Sequence, residues 1–219
     1  MSAFGVIPVG ASGGRLVEVL LVRHGQSTWN VERRWAGQAD PPLSDEGRRS
    51  CGLLVAALGG QGIGAVACSD LVRARQTAEI LAGGLGLGGV LVDPRLRERA
   101  APRWSGLTAV EIERLYPGRL AQWRAGVFYD IPGAEPWDQF VARAEAGVRA
   151  VAEKLSGHGR LLVVTHAGAL RAVELLIGVG VRKTTNLDGY WVRVDSGGLR
   201  AVEGFRHPRP DRLAGSTCQ

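Results

Sequence analysis

The sequence predicts a single α/β domain of three layers, in which a mostly parallel central sheet is flanked by helices. Short apolar runs that suit buried strands alternate along the chain with longer segments of helical periodicity. The length of 219 residues suits one domain with a substantial core, and no internal repeat divides it. We expect the domain to cover residues 15–206, between a flexible N-terminal segment (1–14) and a C-terminal tail (207–219).

Four apolar runs predict the strands at the centre of the sheet. Each is short, partly β-branched and followed by polar or turn residues, as buried strands are. These runs are 16–22, 65–68, 90–92 and 161–164. Two further runs, Tyr190–Val194 and Leu199–Phe205, enclose a turn-forming Asp-Ser-Gly-Gly sequence and predict a closing hairpin.

Helical segments are predicted between these strands. Ser44 suits the N-cap of a helix that runs to Leu58, because Asp45 and Glu46 fall in its first turn. The other predicted helices are 70–81, 134–155 and 168–177. The glycine-rich stretch 83–89 follows a helix rather than a strand, so it is predicted to be a helix stop and turn, not a dinucleotide-binding loop.

Composition excludes several classes of partner. The formal net charge of +6 comes from arginines scattered along the chain, without a basic run interleaved with aromatics, so no nucleic-acid partner is expected. No apolar run reaches membrane-spanning length, so no membrane partner is expected either. The three unpatterned cysteines, Cys51, Cys68 and Cys218, favour a reducing, cytoplasmic location, and the first two are predicted to be buried free thiols.

Charged and imidazole side chains follow all four central strands. Arg23 and His24 follow the first run, Arg73 lies near the start of the helix after the second, Glu98 follows the third, and His166 follows the fourth. The carboxyl ends of parallel strands are where open α/β sheets bind ligands. A guanidinium offers fixed donors to a phosphate, and a neutral imidazole offers a nucleophilic nitrogen. The pattern therefore predicts phosphoryl transfer through a phosphohistidine.

Two alternatives to phosphoryl transfer are compatible with parts of this pattern. His24 and His166 could ligate a metal, but neighbouring arginines would repel a dication and few carboxylates are at hand, so neither a metal nor another cofactor is expected. A domain that only binds phosphate, without catalysis, is the other alternative. An isolated Arg-His-Gly is a weak signal, but its presence together with Arg73, Glu98 and His166 favours an enzyme.

From about residue 16 to residue 176 the chain resembles the histidine phosphatase superfamily, the phosphoglycerate-mutase-like proteins. The resemblance rests on Leu-Val-Arg-His-Gly-Gln-Ser-Thr (21–28), Asp-Pro-Pro-Leu-Ser-Asp-Glu-Gly-Arg (40–48), Ser-Asp-Leu-Val-Arg-Ala-Arg-Gln-Thr-Ala (69–78), Leu-Arg-Glu (96–98) and Val-Val-Thr-His-Ala-Gly (163–168). It implies that His24 is the nucleophile and Glu98 the proton donor. Arg23, Arg73 and His166 would then neutralise the phosphoryl oxygens.

The same resemblance extends the substrate pocket and adds a cover to it. It assigns Asn30, Ser27, Thr28 and Gly37 to the pocket, and backbone amides of the turn after His24 are expected to add donors. It also implies a lid-like insertion, about residues 99–138, over the C-terminal strand ends. Most aromatic residues of this insertion are expected in its core, and one or two facing the pocket would favour a leaving group with an apolar, sugar or aromatic body.

The chain departs from the family pattern just after Glu98. Relatives often carry Phe-Gly-x-Trp-Glu-Gly, whereas this chain has Ala-Pro-Arg-Trp-Ser-Gly at 101–106, so the second glutamate is missing. Should Glu98 not be the acid, Glu135 is the next candidate.

The predicted function is hydrolysis of a small organic phosphate, with phosphoglycerate mutase as the alternative. Mutases of the family carry a lysine and paired arginines after the acid. Between Glu98 and Glu153 this chain has neither a lysine nor an Arg-Arg pair, which favours the phosphatase. A homodimer is common among such proteins, and the sequence does not decide the assembly state.

Overall fold

The computed structural model describes residues 16–125, 131–180 and 184–205, without the side chains of residues 203 and 205. The strands are β1 (Val17–Arg23), β2 (Ile63–Cys68), β3 (Leu91–Val92), β4 (Arg160–Thr165), β5 (Gly189–Asp195) and β6 (Gly198–Phe205). The helices are α1 (Thr28–Val31), α2 (Asp45–Leu58), α3 (Val72–Gly84), α4 (Ala109–Leu115), α5 (Arg119–Arg124), α6 (Trp137–Lys154) and α7 (Ala167–Leu176), and a single 3₁₀ turn spans Pro94–Leu96. The predicted flanks, 1–14 and 207–219, and Cys218 lie outside the described residues.

The six strands form one sheet in the order β3-β2-β4-β1-β5-β6. Strands β3, β2, β4 and β1 are parallel, and the β5–β6 hairpin is antiparallel at one edge, so the predicted mostly parallel sheet is confirmed. In the β1–β4 register Arg23 lies opposite Thr165. The two residues that follow these partners, His24 and His166, therefore leave the sheet side by side.

Alternating residues of the central strands bury both faces of the sheet, which produces the predicted three layers. Val19 and Leu21 of β1 face a core that also contains residues of α6 and α7. Leu20 and Val22 point to the opposite face, where α2 and α3 pack. A strand that is buried on both faces has a continuous apolar sequence, and for this reason these strands could be predicted.

Two helices, α3 and α6, differ from their predicted bounds by two residues or more at one or both ends. Helix α3 begins at Val72 rather than residue 70, because the Asp70 carboxylate forms an ion pair with Arg97 and Leu71 is extended. It also continues through Gly84, inside the predicted stop. Helix α6 begins at Trp137 rather than residue 134, because Pro136 is extended at the N-cap and ends the preceding loop.

Residues 99–138, as far as they are described, pack a small apolar cluster of their own. Ala101, Trp104, Ile112, Leu120 and Ile131 are buried in it. Helix α4 begins at a capping box in which Thr108 and Glu111 exchange side-chain and backbone hydrogen bonds. The fold is therefore a three-layer domain with this segment added beside the carboxyl ends of the strands.

The cysteines and the helices bear on the expectations drawn from composition. Cys51 and Cys68 are free and buried, and burial raises the pKa of their thiols to about 11 and about 12. Within the described ranges, no helix is both long and apolar enough to cross a membrane.

Candidate active site

A cavity of about 350 Å³ opens at the carboxyl ends of β1 and β4. The structure brings six of the predicted site residues to its wall: Arg23, His24, Asn30, Gly37, Arg73 and Glu98. His166 and Ser27 are fully buried beneath the wall instead of lining it. Residues from the segment 99–138 also line the cavity, so that segment forms part of its wall.

His24 presents its Nε2 atom to the cationic side of the cavity. Its Nδ1 lies 2.7 Å from the Gly25 carbonyl oxygen, which assigns the proton to Nδ1 and the lone pair to Nε2. Burial, and then the charges of Arg73 and Arg23, hold the pKa of His24 well below its usual value. A neutral imidazole with a fixed tautomer is the form that can act as a nucleophile.

Arg73 is held rigidly against this imidazole. Its Nε–H donates to His24 Nε2 over 3.2 Å, and its terminal nitrogens donate to the carbonyl oxygens of Ala39 and Gly37 over 2.7 and 2.8 Å. Burial lowers the pKa of Arg73 to about 10, and it therefore stays protonated at neutral pH. Gly37 has φ of +52°, a backbone conformation that suits glycine and turns its carbonyl towards Arg73.

Arg23 and His166 complete the inner part of the site. The Arg23 guanidinium donates to the Thr184 carbonyl oxygen over 3.1 Å, and its Nε is buried without a partner among the described residues. The ring of His166 lies 5.2 Å from that of His24 and is 0% exposed. Burial and the neighbouring charges of Arg73 hold the pKa of His166 well below its usual value. Neither ring nitrogen of His166 bonds to any described residue.

Glu98 lies on the wall beside the start of α7. Its Oε2 accepts from the Gly168 backbone N–H over 3.0 Å, and its Oε1 accepts from the Arg99 N–H over 2.8 Å. Its carbonyl oxygen accepts from Gln38 over 3.0 Å, which ties Glu98 to the loop whose carbonyl oxygens bind Arg73. The carboxylate is thus fixed at the mouth of the pocket.

The alternative acid, Glu135, is held outside the cavity wall. Its two oxygens accept from Arg143, over 2.8 Å to Oε1 and 2.7 Å to Oε2. Arg143 in turn donates to the Glu98 carbonyl oxygen over 3.3 Å. The structure therefore places Glu135 in an ion pair that supports the Glu98 backbone.

Ser27 and the turn after His24 have other partners than a ligand. Ser27 caps α1, where its hydroxyl accepts from the Asn30 N–H. The Gly25 N–H, expected to point at the phosphate, donates instead to Thr77 Oγ1 over 3.0 Å. Thr77 also donates to the Arg73 carbonyl oxygen over 2.7 Å, so it links the nucleophile's turn to the arginine's helix.

Asn186 is a supporting residue that the sequence did not single out. Its amide donates to the His24 carbonyl oxygen over 2.9 Å and to Asn30 Oδ1 over 3.1 Å. The bond orients the Asn30 side chain on the wall. No local pattern marks Asn186, since its position depends on how the chain enters β5.

The outer part of the cavity is aromatic and cationic. The Trp35 and Trp123 rings meet edge to face, with centroids 4.7 Å apart. The Arg171 guanidinium lies 5.1 Å from the Trp123 centroid, and that of Arg99 lies 5.3 Å from the Trp137 centroid. All five residues line the cavity. Of the aromatics expected in the lid, Trp123 and Trp137 thus face the pocket, while Phe128 and Tyr129 lie outside the described residues.

Arg171 and Trp35 line the cavity but were not predicted there. A sequence pattern could have indicated Arg171, but not Trp35. Arg171 follows Gly168 by three residues on α7, so the helical repeat places both on one face. That spacing was readable in the sequence. Trp35 comes from a loop whose path depends on its contacts with residues 104–107.

No group of three or more histidine, cysteine, aspartate or glutamate side chains capable of holding a metal ion occurs in the described part of the chain. The cations at the cavity are arginines.

Residues 19–190 match the histidine phosphatase superfamily (branch 1). The chain is 35% identical over 159 residues to "Phosphoglycerate mutase-like protein 4" of Arabidopsis thaliana, which covers 71% of this chain and 69% of that protein. It is 36% identical over 160 residues to "Probable phosphoglycerate mutase GpmB" of Yersinia enterocolitica, covering 71% and 72%. Among solved structures, mycobacterial glucosyl-3-phosphoglycerate phosphatase aligns with a TM-score of 0.77 at 27% identity, covering 89% of this chain and all of that one.

The fold and the cavity at its strand ends define an α/β enzyme of the phosphatase and mutase class. The chain belongs to the histidine phosphatase superfamily.

Proposed function

We propose that this chain is a phosphomonoesterase that hydrolyses a small organic phosphate through a phosphohistidine on His24. The observation that carries the proposal is a neutral imidazole at the cavity wall with two arginines beside it, the half-buried Arg23 and the buried Arg73. Two guanidinium cations match the charge of a phosphate dianion. His166 adds a third donor once its ring reaches a phosphoryl oxygen.

In the first step His24 Nε2 attacks phosphorus and the bond from phosphorus to the ester oxygen breaks. The departing oxygen takes the electron pair and a proton from Glu98. Arg73 stays protonated, and the hydrogen bond that its Nε–H donates to Nε2 in the structure is donated to a phosphoryl oxygen instead. In the second step water attacks phosphorus, gives a proton to Glu98, and the P–N bond pair returns to Nε2.

Phosphoglycerate mutase is the second candidate, because one relative is named a phosphoglycerate mutase-like protein and another a probable phosphoglycerate mutase. Hydrolysis is favoured because the stretch from Glu98 to Glu153 contains neither a lysine nor an Arg-Arg pair. Product analysis separates the two: a mutase converts 3-phosphoglycerate to its 2-phospho isomer, whereas a phosphatase releases inorganic phosphate.

Trapping of the phosphoenzyme tests the nucleophile. Wild-type protein mixed with a ³²P-labelled phosphomonoester and quenched in alkali should carry an acid-labile label, and His24→Ala should carry none. Turnover by the variant should fall by roughly three orders of magnitude or more, as for other nucleophile deletions. The control is His158→Ala, an exposed loop histidine away from the cavity. A label that persists in His24→Ala would refute the assignment.

Metal independence is a further part of the proposal. Arg23 and Arg73 supply the positive charge that a dication supplies in metal-dependent phosphatases. Activity should therefore survive exhaustive dialysis against a chelator. A loss that one added divalent ion restores would contradict this part of the proposal.

A further inference from the structure

The short segment that carries Glu98 is held in place by side chains from elsewhere in the fold. Residues 95–98 follow the two-residue strand β3 and overlap a single 3₁₀ turn. The carbonyl oxygens of these four successive residues all accept hydrogen bonds from side chains. Backbone carbonyl groups outside helices and sheets need such partners where they are shielded from water. The position of the proposed proton donor therefore depends on these side chains.

Arg143, in the middle of α6, supplies most of these bonds. One of its terminal nitrogens donates to the carbonyl oxygens of Arg95 and Arg97 over 2.8 and 3.1 Å, and the other donates to that of Glu98 over 3.3 Å. Its Nε and the second terminal nitrogen also donate to the two carboxylate oxygens of Glu135 over 2.8 and 2.7 Å. A guanidinium suits this role because its donors are fixed in one plane, whereas the donors of a lysine are all on one nitrogen.

Two other side chains complete the set. The Thr165 hydroxyl donates to the Leu96 carbonyl oxygen over 2.8 Å, and Gln38 donates to that of Glu98 over 3.0 Å. Each of them bonds with one carbonyl group of the segment, whereas Arg143 bonds with three. Arg143 therefore has the largest share in fixing the path of residues 95–98.

Glu135 ties Arg143 to the chain on the other side of Glu98. The Glu135 N–H donates to the Ala100 carbonyl oxygen over 2.9 Å, and its Oε2 accepts from the Ala100 N–H over 3.3 Å. The ion pair between Glu135 and Arg143 thus joins α6 to the backbone before and after Glu98. Arg143 itself does not line the cavity, so any effect that it has on the reaction passes through Glu98.

We infer that Arg143 is a positioning residue for the proton donor. It holds the backbone of residues 95–98 so that the Glu98 carboxyl group meets the departing ester oxygen. The inference rests on the proposed phosphatase function, in which Glu98 is the acid. Two explanations compete with it: Arg143 only stabilises the fold, or Arg143 binds substrate.

Esters with good and poor leaving groups separate these explanations in Arg143→Lys. The lysine keeps a positive charge for Glu135 but cannot bond with all three carbonyl groups. Single-turnover phosphorylation from glycerol 2-phosphate should slow by about a hundredfold, since a small misplacement of a catalytic group has a cost of that order. Phosphorylation from 4-nitrophenyl phosphate should slow by about threefold or less, because nitrophenolate leaves largely without a proton. KM should stay within about threefold of wild type for both esters, because the lost interaction acts on the transition state.

The matched control is Arg149→Lys, the same substitution on the same helix. Arg149 is a partly exposed arginine paired with Glu145, and its replacement should leave both rates unchanged. In a Glu98→Gln background, Arg143→Lys should cost little more on glycerol 2-phosphate, since the group that it positions is already gone.

Circular dichroism and thermal unfolding would verify that each variant folds. If Arg143→Lys does not fold, Gln38→Ala takes its place, because it removes the other donor to the Glu98 carbonyl oxygen from a partly exposed loop position. A larger loss on glycerol 2-phosphate than on 4-nitrophenyl phosphate would then support the inference, and equal rates relative to wild type on both esters would overturn it.

The outcomes distinguish failure of the inference from failure of the proposed function. If Glu98→Gln shows the leaving-group contrast but Arg143→Lys slows both esters equally or neither of them, Arg143 has only a structural role. A rise in KM alone would overturn the inference in favour of substrate binding. Both results leave the phosphatase standing. Absence of hydrolysis of every phosphomonoester by the wild type would instead reject the phosphatase itself.

Discussion

At the scale of single residues, the contact between Gly168 and Glu98 decides where the proposed acid lies. The Gly168 N–H holds Glu98 Oε2, and a Cβ built at Gly168 would overlap Glu98 Oε1. A side chain at this position would therefore displace the Glu98 carboxylate from its place in the structure. Gly168 acts through Glu98 and is a positioning residue.

We predict that Gly168→Ala slows phosphoryl transfer from alkyl esters much more than from nitrophenyl phosphate. An alkoxide needs a proton to leave, whereas nitrophenolate leaves largely unaided, and general acid help is worth about two to four orders of magnitude. Single-turnover phosphorylation rates for both esters would measure the effect. Glu98→Gln should show the same contrast, and adding Gly168→Ala to it should cost little more.

A shorter carboxylate supplies the rescue experiment. Glu98→Asp retracts the carboxyl group by one methylene, so it should restore part of the rate on alkyl esters in the Gly168→Ala background. Equal losses on both esters in Gly168→Ala would mean that the substitution disturbs the site in general.

At the scale of elements, the turn after β1 is clamped between α2 and α3. The Ser44 N–H donates to the Gln26 carbonyl oxygen over 2.8 Å, and Thr77 of α3 accepts from Gly25. A Cβ at Gly47, in the first turn of α2, would overlap the same Gln26 carbonyl oxygen. The close approach of α2 therefore sets the path of the chain that carries His24.

We predict that Gly47→Ala destabilises the protein by about 1–3 kcal/mol, the usual cost of overpacking. It should also lower kcat, because the turn beside His24 must shift. The matched control is Gly52→Ala on the same helix, where a Cβ meets nothing within 4 Å. That variant should be stabilised by roughly 0.5–1 kcal/mol through better helix propensity. Urea unfolding of the wild type, Gly47→Ala and Gly52→Ala measures the two stability changes, and steady-state kinetics measure kcat. Equal stabilities of the three proteins would refute the packing argument.

At the scale of the whole molecule, the parallel register of β1 and β4 buries two histidines together. His24 and His166 are both held neutral, with pKa values well below the usual range because burial disfavours the charged ring. An unfolded histidine titrates at about pH 6.5. Below that pH the unfolded chain binds protons that the folded chain does not, so the folded state loses stability as the pH falls.

We predict that the free energy of unfolding is level above about pH 6.5 and falls below it, by up to about 1.4 kcal/mol per pH unit for each histidine. Urea unfolding between pH 7.5 and pH 5.0 would show the slope above the range in which ordinary carboxyls titrate. In His166→Gln the slope should be about half, and in His158→Gln it should match wild type. A flat profile in the wild type would contradict the burial of neutral rings.

The apolar runs were sufficient to predict the sheet, because strands buried on both faces leave continuous apolar runs. The residues after each run were sufficient to predict which chemical groups follow each strand. The strand ends place four predicted residues at the cavity wall, because residues that closely follow a strand in the chain must lie near its end. These residues are Arg23, His24, Arg73 and Glu98. Tertiary structure alone decided the rest. Ser27 caps α1, and the Gly25 N–H donates to Thr77. Asn186 and Trp35 lie in loops that pack against the site. Such contacts depend on how loops pack against each other across the fold, and no local periodicity encodes that packing.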